Sequence, residues 1–188
     1  MTDRTLGGLR VAILATDGIE QSELSQPREA LDKVGAMTTL IGPKDEIQAF
    51  KHHDKADTFK VDVLLDQASP DDFDAVLLPG GALNADALRV EEAAQKFVRA
   101  IDESDKPIAV ICHGPWLLIS AELADGRRLT SYHTIQDDVR NAGAEWADQE
   151  VVRDENWVSS RQPADIPAFN REMISLFAEY QSNARRAA

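Results

Sequence analysis

A single cysteine in 188 residues excludes an internal disulfide and a thiolate cage for zinc. If Cys112 matters, it matters as a free thiol, which fits a reducing compartment. Long apolar runs are also missing. None approaches the roughly 18 residues that a membrane-spanning helix needs, and Met1 to Gly8 is too polar for a signal peptide. Positive charge is scarce, with 20 Lys and Arg against 33 Asp and Glu for a formal charge of -13. Such a chain repels phosphate backbones and anionic lipid at long range, so neither nucleic acid nor membrane is an expected partner. A soluble cytoplasmic protein is expected. Repeats, low-complexity tracts and linker-like composition are absent too. The length suits one core, so the expectation is a single domain over residues 1–188, with 1–8 and 181–188 as flexible ends.

What is present is an alternation of two patterns. Arg10 to Ala15, Ala75 to Leu78 and Pro107 to Ile111 are short runs of consecutive apolar residues, as strands covered on both faces require. Between them, Leu24, Ala30, Leu31 and Val34 follow helical spacing and stop at Gly35, and Ala93, Ala94, Phe97, Val98 and Ile101 repeat the pattern. Ser25 is the expected cap of the first helix, with Pro27 in its first turn. Met37 to Ile41 reads as another strand, and 48–65 as a short antiparallel excursion. Val151 to Val152 and Trp157 to Ser159 are further strands, before a closing helix over about 167–180 capped by Ala164 or Asp165. Strands alternating with helices predict an α/β, flavodoxin-like doubly wound sandwich: a mostly parallel central sheet with helices on both faces. Ligands then meet the carboxyl ends of the strands.

At one such end stand Cys112, His113, Gly114 and Pro115, followed by the apolar start of a helix. A nucleophile on a strand-to-helix elbow is thrust out of the sheet, and the helix N-terminus directs free N–H groups at it. Those groups favour the thiolate, the species that attacks carbonyls or peroxide, so a thiol ionising below its free value is expected. The ordinary reading of a lone cysteine is a small buried hydrophobe; the elbow favours the nucleophile. His113, beside it, becomes a candidate base or proton donor. Trp116, in the following helix, walls the pocket or fills the core.

Glu20 and Glu23, after the first strand, share a face of a first helical turn, and one of them can reach Cys112 if that strand neighbours the one ending at Ile111. A protonated carboxyl donating to sulfur would stabilise the thiolate, whereas an ionised one would oppose it. Gly80 and Gly81 end another strand, and their N–H groups, with that of His113, could form an oxyanion hole. Asp86 could orient a histidine as a triad acid or simply cap a helix. His52, His53 and Asp54 are adjacent in sequence and point different ways on an extended chain, so no metal site is expected there. Tyr132 and His133 could face the pocket or lie in a solvated loop.

The segments GIEQSEL, AVLLPGG, AVICHGPWLLISA, RRLTSYHTIQDDVRNAGAEW and VSSRQPADIPAFNREMI resemble, in order, the PfpI family, the intracellular-protease-like branch of the class I glutamine amidotransferase-like superfamily. The resemblance spans residues 10 to 180. It implies Cys112 as nucleophile, His113 as its adjacent histidine, Glu23 as the carboxyl bonding the thiol, and the backbone of Gly81 and His113 as oxyanion donors. Gly80, Trp116 and Glu20 would complete the pocket. Where protease-assigned relatives place a glutamate that orients the histidine across a subunit interface, this chain has Asp86, shorter by one methylene. The resemblance implies a homodimer, in some members assembled into hexamers, with no cofactor. Relatives are assigned as intracellular peptidases, as glutathione-independent glyoxalases and deglycases, and as general stress proteins.

Two functions are therefore expected to compete. One is a stress-protective, cysteine-dependent enzyme acting on carbonyl groups of a small compound or a peptide. The other is an oxidation sensor or chaperone-like stress protein using the same thiol.

Overall fold

The computed structural model describes residues 6–187. The apolar runs form strands and the periodic stretches form helices. The first half contains β1 (Arg10–Leu14), β2 (Ile19–Glu20), α1 (Gln21–Lys33), β3 (Met37–Gly42), β4 (Glu46–Lys51), β5 (Asp54–Lys60), β6 (Val63–Leu64), β7 (Ala75–Leu78) and α2 (Ala82–Leu88). The second contains α3 (Glu92–Glu103), β8 (Ile108–Ile111), α4 (Pro115–Ser120), β9 (Arg128–Leu129), α5 (Gln136–Asn141), β10 (Glu145–Trp146), β11 (Val151–Asp154), β12 (Trp157–Ser160) and α6 (Ile166–Ala187).

Seven strands form the central sheet in the order β11-β12-β8-β7-β1-β3-β6. Its pairings are parallel except for the antiparallel edge β11–β12. Consecutive side chains of the central strands point to opposite faces and feed two cores. Val11, Ile13, Leu77, Ala109 and Ile111 pack with Leu24 and Leu31 of α1 and with Phe169, Met173 and Phe177 of α6. Ala12, Leu14, Val76, Leu78, Ile108 and Val110 pack on the other face with Phe97, Val98 and Ile101 of α3 and Leu117 and Leu118 of α4. Both faces being covered explains why these strands read as unbroken apolar runs. The flavodoxin-like expectation is met.

After β1 the chain turns outward to β3 and β6, then crosses back to lay β7 on the other flank of β1. That reversal opens a crevice at the carboxyl ends of β1 and β7, where doubly wound sheets take their ligands. The expected excursion over 48–65 is a hairpin, β4 and β5, extended by β2 into a three-stranded sheet. Its turn at His52 and His53 stands over the same end of the central sheet and forms part of the wall there.

Several expectations needed correction. Ser25 does not cap α1; the helix starts at Gln21, and the Ser25 hydroxyl bonds back to the Gln21 carbonyl at 2.8 Å. Pro27 lies buried inside the helix rather than in its first turn, so it supplies no N–H for the carbonyl of Glu23, four residues back. β1 does not neighbour β8, because β7 lies between them. The tail expected to be loose continues α6 to Ala187, and Gln181 and Arg185 both donate to the carbonyl of Gly7. Within the expected N-terminal loose end, Leu6 is buried and its N–H bonds Val34; residues 1–5 and 188 lie outside the described residues. No helix among the described residues is long and apolar enough to cross a membrane.

Candidate active site

Cys112 follows the last residue of β8 with φ of 63°, a left-handed conformation that costs a non-glycine residue roughly 1–2 kcal/mol. The turn is fixed on both sides. The Cys112 N–H bonds Ser160 of β12 at 3.0 Å, and its carbonyl accepts from Tyr132 N–H at 2.9 Å. Gly114 is obligatory for space, since a Cβ there would come within 2.7 Å of the Leu78 carbonyl and 2.8 Å of Val110. Pro115 then opens α4 at its first position, where a missing N–H is harmless. A strained, non-glycine elbow at a strand end is the signature of a positioned nucleophile.

Glu23 reaches this thiol across the end of β7. The route exists because Gly80 has no side chain: a Cβ there would lie 2.4 Å from Glu23 Oε2 and 2.6 Å from Cys112 Cβ. The Gly80 N–H donates to Glu23 Oε2 at 2.9 Å. Asn84, fully buried on α2, locks the loop by accepting from Thr16 N–H and donating to the carbonyls of Pro79 and Gly80. Gly81 takes φ of 87°, and a Cβ there would strike the Gly18 carbonyl at 2.3 Å.

Burial sets the electrostatics. Glu23 is entirely inaccessible, and desolvation lifts its pKa to about 8, so its carboxyl is protonated at neutral pH. Its Oε1 finds no partner of good hydrogen-bond geometry, although carboxyl and thiol are near enough to shift one another's titration. The two groups are close enough for a hydrogen bond between them to weigh on both titrations. Burial pushes the Cys112 thiol well up, and a charge on Glu23 pushes it further, while the N–H groups of Gly81 and His113 pull it down. The expected acidic, exposed thiol is thus corrected. Cys112 is only 6% exposed, reaches solvent through a cavity, and shares one site with a carboxyl so that the two titrate as a pair. The N–H groups of Gly81 and His113 are directed at the sulfur, where they favour the thiolate.

His113 Nδ1 lies 3.2 Å from Cys112 Sγ, and its Nε2 is 3.4 Å from the Thr134 hydroxyl. Its ring is held by the edge of Trp116 at 5.3 Å and by Tyr132 at 5.0 Å, and Tyr132 stacks in turn on His133 at 4.6 Å. Burial, aided by the neighbouring His133, lowers the His113 pKa and favours the neutral imidazole. A neutral base next to a thiol can accept its proton.

The cavity over the sulfur measures ≈ 830 Å³ and takes in Glu20, Glu23, Gly81, Cys112, His113 and Tyr132. Trp116 does not line it; the residue backs His113 and bonds Asp138 through its indole N–H. Gly80 sits beneath the floor with its N–H on Glu23. Asp86 lies on the exposed side of α2 and is not among the hydrogen-bond partners of His113 within the chain. Residues that sequence reasoning did not assign to the pocket include Phe50, His52, His53 and Gln162. Asn84 was missed as well, although an asparagine inside ALNADAL is a visible oddity. Among the described residues no cluster of three or more His, Cys, Asp or Glu could hold a metal ion.

Residues 9–176 match the DJ-1/PfpI family. A protein of Thermococcus kodakarensis named as a deglycase is 44% identical over 168 residues, covering 89% of this chain and 99% of its own. General stress protein 18 of Bacillus subtilis is 40% identical over 170 residues, covering 90% and 98%. Among solved structures, a two-domain protein of Anabaena variabilis with DJ-1/ThiJ/PfpI-like and ferritin-like domains superposes with a TM-score of 0.84 at 31% identity. That match covers 89% of this chain and 47% of the Anabaena protein, so this chain spans about half its length.

Proposed function

This chain belongs to the DJ-1/PfpI family, and on that premise we propose that it is a stress-protective, cysteine-dependent enzyme acting on carbonyl groups, of the glyoxalase or deglycase type. The observation that carries the proposal is the left-handed Cys112 with its sulfur 3.2 Å from a neutral-leaning imidazole and beside a protonated, buried carboxyl. A thiol of raised pKa is a poor nucleophile until its proton leaves. His113 takes that proton as the sulfur adds to an aldehyde carbon, and the N–H groups of Gly81 and His113 with the Glu23 proton stabilise charge at the reacting centre. With a 2-oxoaldehyde the adduct is a hemithioacetal. A proton leaves its aldehyde-derived carbon and returns to the neighbouring carbon, oxidising the first and reducing the second. The thioester so formed is cleaved by water, releasing a 2-hydroxy acid and the thiol. No external oxidant or reductant enters. A deglycase reaction begins one step earlier: the carbinol of the glycated group expels its amine or thiol, which takes up the carbinol proton, and the 2-oxoaldehyde so released adds to Cys112 as above.

Catalysis by Cys112, His113 and Glu23, with Gly81 and His113 as backbone donors, is thus the reading for the site. We extend it to a cytoplasmic homodimer in which Asp86 of one copy orients the histidine of the other. Asp86→Asn then lowers kcat and leaves the fold of each copy intact, since within one copy Asp86 is exposed. The primary test incubates the protein with methylglyoxal in the absence of glutathione and follows lactate beside a Cys112→Ala control. Turnover lost in the variant is the expected result; no lactate from the unmodified protein overturns the carbonyl reading. The second reading, an oxidation sensor, is favoured by the same N–H cradle and Glu23, which would hold an oxidised sulfur. Clean peroxide titration of Cys112 without turnover of aldehyde or peptide would decide for it.

A further inference from the structure

Two carboxyl groups, Glu20 and Glu23, line the Cys112 cavity, and among the described residues no lysine or arginine does. Of the cations close by in sequence, Arg161 and Lys44 are engaged elsewhere, and Lys51 and Lys55 are exposed on the hairpin and do not line the cavity. Arg161, beside the lining residue Gln162, is bonded to Asp165 and Asp148. Lys44 pairs with Asp17, and Lys51 stands in register with Asp54. Glu20 has the bonding pattern of a carboxylate. The Ser22 hydroxyl donates to its Oε1 at 3.1 Å and the His52 N–H to its Oε2 at 2.9 Å, so both oxygens act as acceptors. The wall groups able to become cationic are the imidazoles of His52, His53 and His113.

We propose that this cavity selects its electrophiles by charge, admitting uncharged and cationic carbonyl compounds and rejecting 2-oxo carboxylates, with Glu20 as the residue that sets the discrimination. The substrate class rests on the carbonyl-enzyme reading; the charge selection at the sulfur does not. An anion arriving about 8 Å from a fixed unit charge, at an effective dielectric of about 30, is disfavoured on the order of fivefold to tenfold. Glu20→Gln isolates that charge. The amide oxygen can keep the His52 N–H, and the amide nitrogen can donate to the Ser22 hydroxyl, which is able to accept.

Cys112 is the one cysteine of the chain, so alkylation reports this site alone. The measurement is the ratio of second-order rates with neutral iodoacetamide and anionic iodoacetate, divided by the same ratio for N-acetylcysteine amide. At low salt the protein should show an excess of about fivefold or more, retained in Glu20→Asp and reduced to within about twofold of the free thiol in Glu20→Gln. Raising salt from about 0.01 M to about 1 M shortens the screening length from ~30 to ~3 Å and should erase most of the excess. An unmodified protein that matches the free thiol, or a Glu20→Gln ratio equal to the unmodified one, overturns the proposal. Should Glu20→Gln fail to fold, a salt-insensitive ratio in the unmodified protein overturns it instead. Turnover separates the two readings. Equal kcat/KM for methylglyoxal and glyoxylate removes the selection and leaves the enzyme, whereas charge-selective alkylation without turnover of any aldehyde removes the enzyme and leaves the selection.

Discussion

Replacing Glu23 by glutamine should make the protein more stable in alkaline solution and a poorer catalyst. In the folded chain Glu23 titrates at about 8 against 4.5 for an unburied glutamate, because it is fully desolvated. Between those values the folded state holds a proton that the unfolded state has released. The contribution of Glu23 to stability is therefore greatest below about pH 4.5, falls as pH rises, and stops falling above about pH 8. At about 1.4 kcal/mol per unit the full span is about 5 kcal/mol as an upper figure. The glutamine amide carries no titrating proton and can keep its oxygen on the Gly80 N–H.

Urea unfolding near pH 5 and near pH 8 measures the difference. The advantage of Glu23→Gln over the unmodified protein should grow between the two by about 2–4 kcal/mol, or about 1 M in midpoint for a chain of this size. Turnover should fall at the same time, since an amide is a weaker donor to sulfur than a carboxylic acid; stability gained by relaxing a strained site commonly costs activity. An advantage equal at both pH values would refute the assignment of the raised pKa to Glu23. It would also remove the protonated carboxyl from the mechanism.

Other substitutions probe the elbow and its floor. Gly80→Ala should reduce thiol reactivity and destabilise by about 1–3 kcal/mol through overpacking, measured by alkylation rate and urea midpoint, because the new Cβ collides with Glu23 and Cys112. Cys112→Ala and Cys112→Gly should both be inactive, but the glycine variant should be the more stable by about 1 kcal/mol, since it relieves the positive φ; the opposite order in thermal melts would deny the strain. His113 titrates below its ordinary 6.5, so folding stability contributed by its neutral form is present above about pH 6.5 and declines as pH falls. His133→Gln should raise the His113 pKa, seen by NMR titration and as an upward shift of the acid limb of kcat/KM.

The central strands were legible because residues 11–14, 75–78 and 108–111 are buried on both faces, and that condition writes itself as consecutive Val, Ile, Leu and Ala. The elbow was legible because Gly114 and Pro115 carry steric requirements that few other residues meet. Strand order was not legible: nothing in the composition of β1, β7 and β8 says which lies in the middle. The exposure of Cys112 was misjudged for a related reason. Its cover comes from Tyr132 and from the turns at 52–53 and 162–164, all distant in sequence and unremarkable locally. The start of α1 was misplaced because Ser25 is a better cap by type than Glu20, yet Ile19 and Glu20 are held in β2 by pairing with β4, and the helix begins where that pairing stops.

That last displacement has a chemical consequence. Starting α1 at Gln21 puts Glu23 in the first turn with its side chain directed over Gly80, and the placement of Pro27 leaves the Glu23 carbonyl without its usual helical N–H. The same short β2 segment sets Glu20 against the His52 turn, so one pairing decides where both carboxyls stand. Glu23 is driven into the core and protonated; Glu20 stays at the wall with both oxygens accepting. Two glutamates three residues apart thus acquire opposite duties, one offering a proton to the sulfur and the other a charge to whatever approaches it. A one-residue insertion between Glu20 and Gln21 would turn the two glutamates by about 100° relative to each other about the α1 axis. If α1 keeps its packing on α6, Glu23 stays over Gly80 while Glu20 leaves the cavity wall, so alkylation of Cys112 should persist and lose its preference for the neutral reagent.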